Sequence, residues 1–249
     1  YYSMYKGMLD RQVMTNGNPG EGPYFHLKVE GAVGGYLDLQ LIGICQDTKT
    51  AGGKAGLTFG FKDIYAFRDT ANSIAGDKPF NSAMNTTDAV AGGWANMPLR
   101  TRLTTTFYNS LDPKMRAAIA RVTKQQQVNG GATASYLQST YNETIWLPST
   151  FEVFGLGIAQ LNQSEALSAS RFQYQAFQGN GSSTTNIRAM KRYYGGGGNP
   201  AAGDVPGNPQ YWFLRSAGQL NTHAFGTVTS MGVGTNSYAN GNLGVVPCF

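Results

Sequence analysis

The two histidines, His26 and His223, and the two cysteines, Cys45 and Cys248, are the side chains best suited to general-base or nucleophilic work near neutral pH. Their spacing does not assemble a reaction centre. No H-E-x-x-H, no C-x-x-C and no nucleophile–His–carboxylate order can be drawn. Phosphate-cradling glycine patterns are missing as well, because the run Gly195–Gly198 is not followed by Lys-Ser or Lys-Thr. His26 falls on the polar side of a predicted strand, at the surface. Cys45 lies in the apolar run with Leu41, Ile42 and Ile44, and reads as a small buried group, as does Cys248. A bridge between the two stays open if the first sheet strand and the chain end are neighbours. The expectation is a non-enzymatic protein with no cofactor and no metal.

A different chemistry is legible near the C-terminus. From Val205 to Phe249 there is no Asp, Glu or Lys, and the only formal charge is Arg215. Gly, Asn, Thr and Ser alternate with isolated apolar residues. Hydroxyls and amides with a few aromatics are adaptable donors and acceptors, the types that binding surfaces on a fixed frame use. A glycine-rich loop region without a ligand would have the same composition. A calcium-dependent sugar site is not expected in this segment, since it needs clustered carboxylates.

Composition limits the partners. A chain of 249 residues with 41% hydrophobic residues can bury a substantial core as one domain. The net charge of +5 is spread out, and the densest basic cluster is Arg188, Lys191 and Arg192. No nucleic-acid partner is expected from so short a stripe. No run of some eighteen apolar residues exists, so no membrane span is expected, and no signal peptide is seen.

The elements that must position the C-terminal segment read as strands, then helices, then loops with short strands, which is an α+β plan. Residues 1–23 read as an irregular arm, with turn chemistry at Thr15–Gly20. Strands are predicted at 24–30, with Phe25, Leu27 and Val29 on one side, at 36–46, and at 56–64, with Leu57, Phe59 and Phe61 on one side. A helix over 98–108 starts at Pro98 and carries Leu99, Leu103 and Phe107 on one stripe. A second, over 113–123, has Asp112 as N-cap, Pro113 at its first position, and the stripe Met115, Ile119 and Val122. Gln125–Thr140 reads as a linker. Ser149 and Glu152 have capping-box spacing for a short helix. Trp94, Trp146 and Trp212 read as core, Arg215 as a structural ion-pair or carbonyl-binding residue, and Phe249 as the end of a docked terminus.

Several strings, in this order, resemble one family: LIGICQD at 41–47, LTFGFKD at 57–63, GGW at 92–94, LRTRLTTTFYNSLDP at 99–113, WLPSTFEVFG at 146–155, YWFLRSA at 211–217 and GVVPCF at 244–249. They look like the C-type-lectin-like domains of unknown function in tail-associated proteins of phages infecting gut Firmicutes. Trp212, Leu214, Arg215 and Ser216, followed by Gly244–Pro247, are the most specific part. Some members are variable proteins of diversity-generating retroelements, in which adenine-directed copying randomises residues near the C-terminus. The resemblance implies a fold like that of the major tropism determinant and of formylglycine-generating enzyme.

A randomised AAC or AAT codon reaches every amino acid except Trp, Lys, Glu, Gln and Met. Phe213, Leu220, Asn221, Thr222, His223, Thr227, Thr229, Ser230, Val233, Thr235, Asn236, Ser237, Tyr238, Asn240 and Asn242 all fall in that set. Gln219 and Met231 do not. These fifteen positions are the candidate ligand-binding residues, within a segment 211–249 of a C-type-lectin-like domain spanning 24–249. The fold expected is α+β, with two helices and a small twisted antiparallel sheet, anchored by Trp212, Leu214, Arg215, Phe225, Val228 and Val246. The function implied is host attachment on a phage virion tail, or a bacterial cell-surface role if prophage- or chromosome-encoded. The partner would be a host surface protein or glycan, with a homo-oligomer or tail-fibre partner open. The alternative is a structural virion or cell-surface module without a diversified site.

Overall fold

Tyr36–Ile44 is apolar enough to be covered on both faces, and the fold covers it. In the computed structural model, which describes residues 2–12, 24–28, 36–65, 81–127, 138–156, 172–179, 184–194, 207–218 and 222–249, β1 (Phe25–Lys28), β2 (Tyr36–Ile44) and β3 (Leu57–Phe61) form an antiparallel sheet in that order. Leu41 and Ile44 meet Leu9 of helix α1 (Tyr2–Gln12), whereas Leu37, Leu39 and Ile42 join the main core. The expected irregular arm is therefore helical over its first half. Tyr5, Met8 and Leu9 supply one apolar face at helical spacing. Thr15–Gly20 and Val29 lie outside the described residues. The alternation foreseen in β1 and β3 is partial: Leu27 and Phe61 are buried, Leu57 and Phe59 half-buried, and Phe25 exposed, its ring edge-on to Phe59 at 4.9 Å.

Pro98 opens α2 (Pro98–Arg102), which runs through a π-turn (Leu103–Phe107) into α3 (Tyr108–Ser110). Leu99, Leu103 and Phe107 are buried as the stripe predicts. Asp112 caps α4 (Pro113–Ala118) by accepting the Lys114 N–H at 2.8 Å. This second helix ends five residues earlier than expected. Ile119 is already extended, and Val122 opens β6 (Val122–Gln127), which pairs with β7 (Gln138–Glu143) in the stretch read as a linker. Val122 and Lys124 point inward while Thr123 and Gln125 are half-buried, so the period is two. A lysine at an inward position concealed it. Ser149 and Glu152 complete the capping box of α5 (Thr150–Phe154), with bonds of 3.2 and 2.9 Å.

The second large sheet contains the C-terminal segment. Its order is β12 (Gly234–Tyr238), β11 (Ala224–Val228), β10 (Trp212–Ala217), β13 (Leu243–Gly244) and β5 (Asn81–Ser82). Only β10 and β13 pair in parallel within it. A smaller sheet joins β4 (Ile64–Tyr65), β8 (Lys191–Tyr194) and β9 (Pro209–Gln210). The fold is α+β. It holds more helices and sheets than the two helices and one sheet expected.

The chain end closes the molecule. Phe249 and Phe59 exchange backbone bonds of 2.9 and 2.8 Å, and Cys248 and Trp146 exchange bonds of 2.7 and 3.0 Å. The terminus is docked, as an aromatic last residue suggests. Both cysteines are free thiols; Cys248 is buried, but Cys45 is exposed, at a left-handed φ of 55° just past the end of β2. The buried reading of Cys45 fails because the strand stops one residue before it.

Candidate functional site

The C-terminal segment hangs on two fully covered strands. Every residue of β10 and of β11 is buried. Trp212 donates its indole N–H to the Ala189 carbonyl at 2.9 Å. The anchors Leu214, Arg215, Phe225, Val228 and Val246 are all buried too.

A buried charge cluster fixes β10 to the rest of the core. Arg215 donates to the Leu147 carbonyl at 2.8 Å and to the Glu152 carboxylate. The other Glu152 oxygen accepts from Lys124 at 2.7 Å. Lys124 also pairs with Asp47, donates to the Tyr174 hydroxyl at 2.8 Å, and lies 4.4 Å above the Trp146 ring. Tyr174 in turn donates to Asp47 at 3.0 Å, and Thr58 bonds the same carboxylate. Two cations thus face two carboxylates, and four elements meet there. Burial alone would raise the Glu152 pKa, but Arg215 and Lys124 outweigh it and lower it to about 2. Burial, then the Asp47 charge, pushes Tyr174 well above its ordinary value. Burial also pushes the Cys248 thiol up, which leaves it a protonated, weak nucleophile. Arg215 is the structural residue its setting suggests, and Glu152 does more than cap its helix.

Thirteen of the fifteen candidate positions lie in the described residues and divide three ways. Thr222, His223, Tyr238, Asn240 and Asn242 are exposed, Tyr238 at 62%. Ser230, Val233, Thr235, Asn236 and Ser237 are half-buried. Phe213, Thr227 and Thr229 are buried and leave the contact set as a correction. Phe213 is core, and Thr227 lies inside β11. Thr229 uses its hydroxyl to accept the Met231 and Val233 N–H groups at 3.2 and 3.0 Å, which shapes the turn before β12. Composition cannot reveal strand order, and only the order shows that β10 and β11 are interior. Leu220 and Asn221 lie outside the described residues, as does the loop Gly195–Gly198.

The exposed five come together at one end of the sheet. Tyr238 stands opposite Ala224, and the Ala239 N–H donates to the His223 carbonyl at 2.7 Å. Gly241 closes the turn by donating to the Tyr238 carbonyl at 3.0 Å. Along β12, Asn236 and Tyr238 share one face, and Thr235 and Ser237 the other. A segment that sequence reasoning missed completes this end. Asn85 donates its N–H to Ala239 O, and Val90 to Thr222 O, each at 3.0 Å, while His223 Nδ1 lies 2.6 Å from the Asp88 carbonyl. Thr86 and Thr87 are exposed beside it. The polar run Asn85–Asp88 was the available signal. The resulting surface offers amides, hydroxyls, one imidazole and one phenol, which suits hydrogen bonding and ring contact. Among the described residues, no group of three or more His, Cys, Asp and Glu could hold a metal ion.

Elsewhere, His26 is exposed as expected and pairs with Asp38 at 2.6 Å. The basic cluster does not form a patch, because Lys191 is buried between Gln40 and the Phe61 carbonyl, at 3.0 and 2.7 Å. Among the described residues no helix is long and apolar enough to cross a membrane. No curated protein and no solved structure matches the chain. A family model does match, over residues 66–249, and covers both the five-stranded sheet and the exposed end just described: the chain belongs to the family of the domain of unknown function DUF6273.

Proposed function

We propose that this protein is a non-enzymatic binding module of C-type-lectin-like fold that attaches a phage tail, or a bacterial surface, to a host protein or glycan. The observation that carries the reading is the gathering of Thr222, His223, Tyr238, Asn240 and Asn242 on one outward end of a sheet whose strands β10 and β11 are wholly buried. Side chains there can be exchanged without disturbing the backbone that presents them. Binding then loses little ordering entropy, since the frame is already rigid. Half-buried Asn236, Thr235, Ser237, Ser230 and Val233 extend the contact set along β12 and its turn. Diversification by a retroelement would act on these positions.

The test is a binding screen against bacterial cells and glycans, with Tyr238→Ala and Asn236→Ala beside the parent protein. Loss of binding in either variant supports the assignment, and unchanged binding in both removes it. Sequencing the surrounding DNA tests the origin of the surface. A reverse-transcriptase gene with a near-identical repeat differing at adenines supports diversification; neither feature leaves a structural module packed on a neighbouring subunit as the better account.

A further inference from the structure

The buried cluster brings an amine against a carboxyl group away from water. Lys124 is 2% exposed and Asp47 1%, and Lys124 Nζ bonds Asp47 Oδ1. The backbone beside the pair is fixed. The Thr123 N–H donates to the Thr48 carbonyl and the Thr50 N–H to the Arg121 carbonyl, each at 2.9 Å. Two hydroxyls aim at the same carboxylate. Thr58 donates to Oδ2, and Tyr174 lies 3.0 Å from Oδ2 and 3.2 Å from Oδ1. The Tyr174 hydroxyl also accepts from Lys124 Nζ at 2.8 Å, so it touches both the amine and the acid. Glu152 Oε1, at 2.7 Å, holds the amine from another side.

We propose that Lys124 and Asp47 condense into an isopeptide bond, with Tyr174 as the proton relay. Asp47 Oδ1 takes one ammonium proton, which leaves a neutral amine beside a neutral acid. The Nζ lone pair attacks Cγ and forms the C–N bond, and an electron pair moves onto Oδ2, where the Thr58 and Tyr174 hydroxyls donate to it. Tyr174 accepts a second proton from Nζ and passes its own to Oδ1. The pair on Oδ2 then re-forms the carbonyl as the Cγ–Oδ1 bond breaks, and Oδ1 departs as water. An ammonium and a carboxylate become one secondary amide and one water, with no oxidant and no change in net charge.

Fixed contact between the reacting groups replaces a collision, which raises their effective concentration by orders of magnitude. Condensation also removes two charges that burial penalises, and a dry site protects the amide from hydrolysis. Arg215 still faces Glu152 afterwards, so the cluster stays balanced. The bond would tie the segment after β2 to β6, 77 residues further along the chain. It is independent of what the exposed end of the five-stranded sheet binds.

Mass spectrometry of the unfolded full chain tests this. The parent should be lighter than its sequence by one water, and trypsin should leave Lys124 uncut and release residues 29–49 joined to residues 122–171. Lys124→Arg keeps the charge but cannot condense, and should show its full sequence mass. In Tyr174→Phe, sampled over time after cell-free synthesis, water loss should be slower by about a hundredfold or more. A parent at full sequence mass overturns the bond, as does a water loss that persists in Lys124→Arg or maps elsewhere. Water loss at the parent's rate in Tyr174→Phe overturns the relay. Should Tyr174→Phe fail to show a cooperative melt, the parent's peptide map and the Lys124→Arg mass decide the matter.

Discussion

Replacing Glu152 by Gln removes one negative charge from the buried cluster while keeping a side chain that can still cap α5. Lys124 would keep Asp47, while Arg215 would lose the carboxylate to which it donates. Removing one partner of a buried pair costs about 3–5 kcal/mol. The pKa of Glu152 gives an independent figure: a fall from 4.5 to about 2 corresponds to about 3 kcal/mol at neutral pH. Both point to the same size of effect, a drop in melting temperature of roughly 6–20 °C for a chain of this length. Urea unfolding of parent and variant at pH 7 measures it. The pH dependence follows from the sign of the shift. A carboxylate whose folded pKa is lowered stabilises the fold above its unfolded pKa, and that stability disappears as pH falls through the folded value. The parent should therefore lose its advantage over the variant between pH about 4.5 and about 2. A difference below about 1 kcal/mol at pH 7, the worth of one ordinary hydrogen bond, would refute the claim that this cluster holds β10 in place.

Further outcomes follow from the same structure. Burial lowers the Lys191 pKa from 10.5 to about 8, so its unfolded form holds the proton longer; between those pH values the parent should gain about 3 kcal/mol relative to Lys191→Met in paired denaturation curves. Phe213→Ala should cost about 3–5 kcal/mol by opening a cavity in the core, whereas Tyr238→Ala should change stability by less than about 0.5 kcal/mol, as calorimetry can compare. Gly232→Ala should destabilise by more than about 1 kcal/mol, because φ is 75° there and a Cβ would lie 2.4 Å from the Asn186 carbonyl oxygen; a melting curve at parent level would contradict this.

Local chemistry was the legible part of the fold. Pro98 marks a helix start because it has no N–H to leave unpaired, Asp112 and the Ser149–Glu152 box because they satisfy orphan N–H groups, and all three stand where they were read. Elements whose inward residues are polar were not legible. Lys124 in β6 looks like a surface residue until Asp47, Glu152 and Tyr174 are brought to it from segments far apart in sequence. The same limit governs the candidate surface. Thr227 and Tyr238 are equally plausible contact residues by type, yet one lies in an interior strand and the other at the end of an outer one. Pairing order decides between them, and it arises from contacts such as Trp212–Gly244 and Trp212–Val228 that no local pattern encodes. Asn85–Asp88 was overlooked for the same reason, since its partners are residues 223 and 239.

The most direct test of the attachment reading changes Thr222, His223, Tyr238, Asn240 and Asn242 together. Flow cytometry would compare this five-site alanine variant with the parent on a panel of bacterial cells, with a thermal melt run on both. The account predicts a melting temperature within about 4 °C of the parent and loss of cell binding. Undiminished binding by a variant that melts like the parent would contradict it.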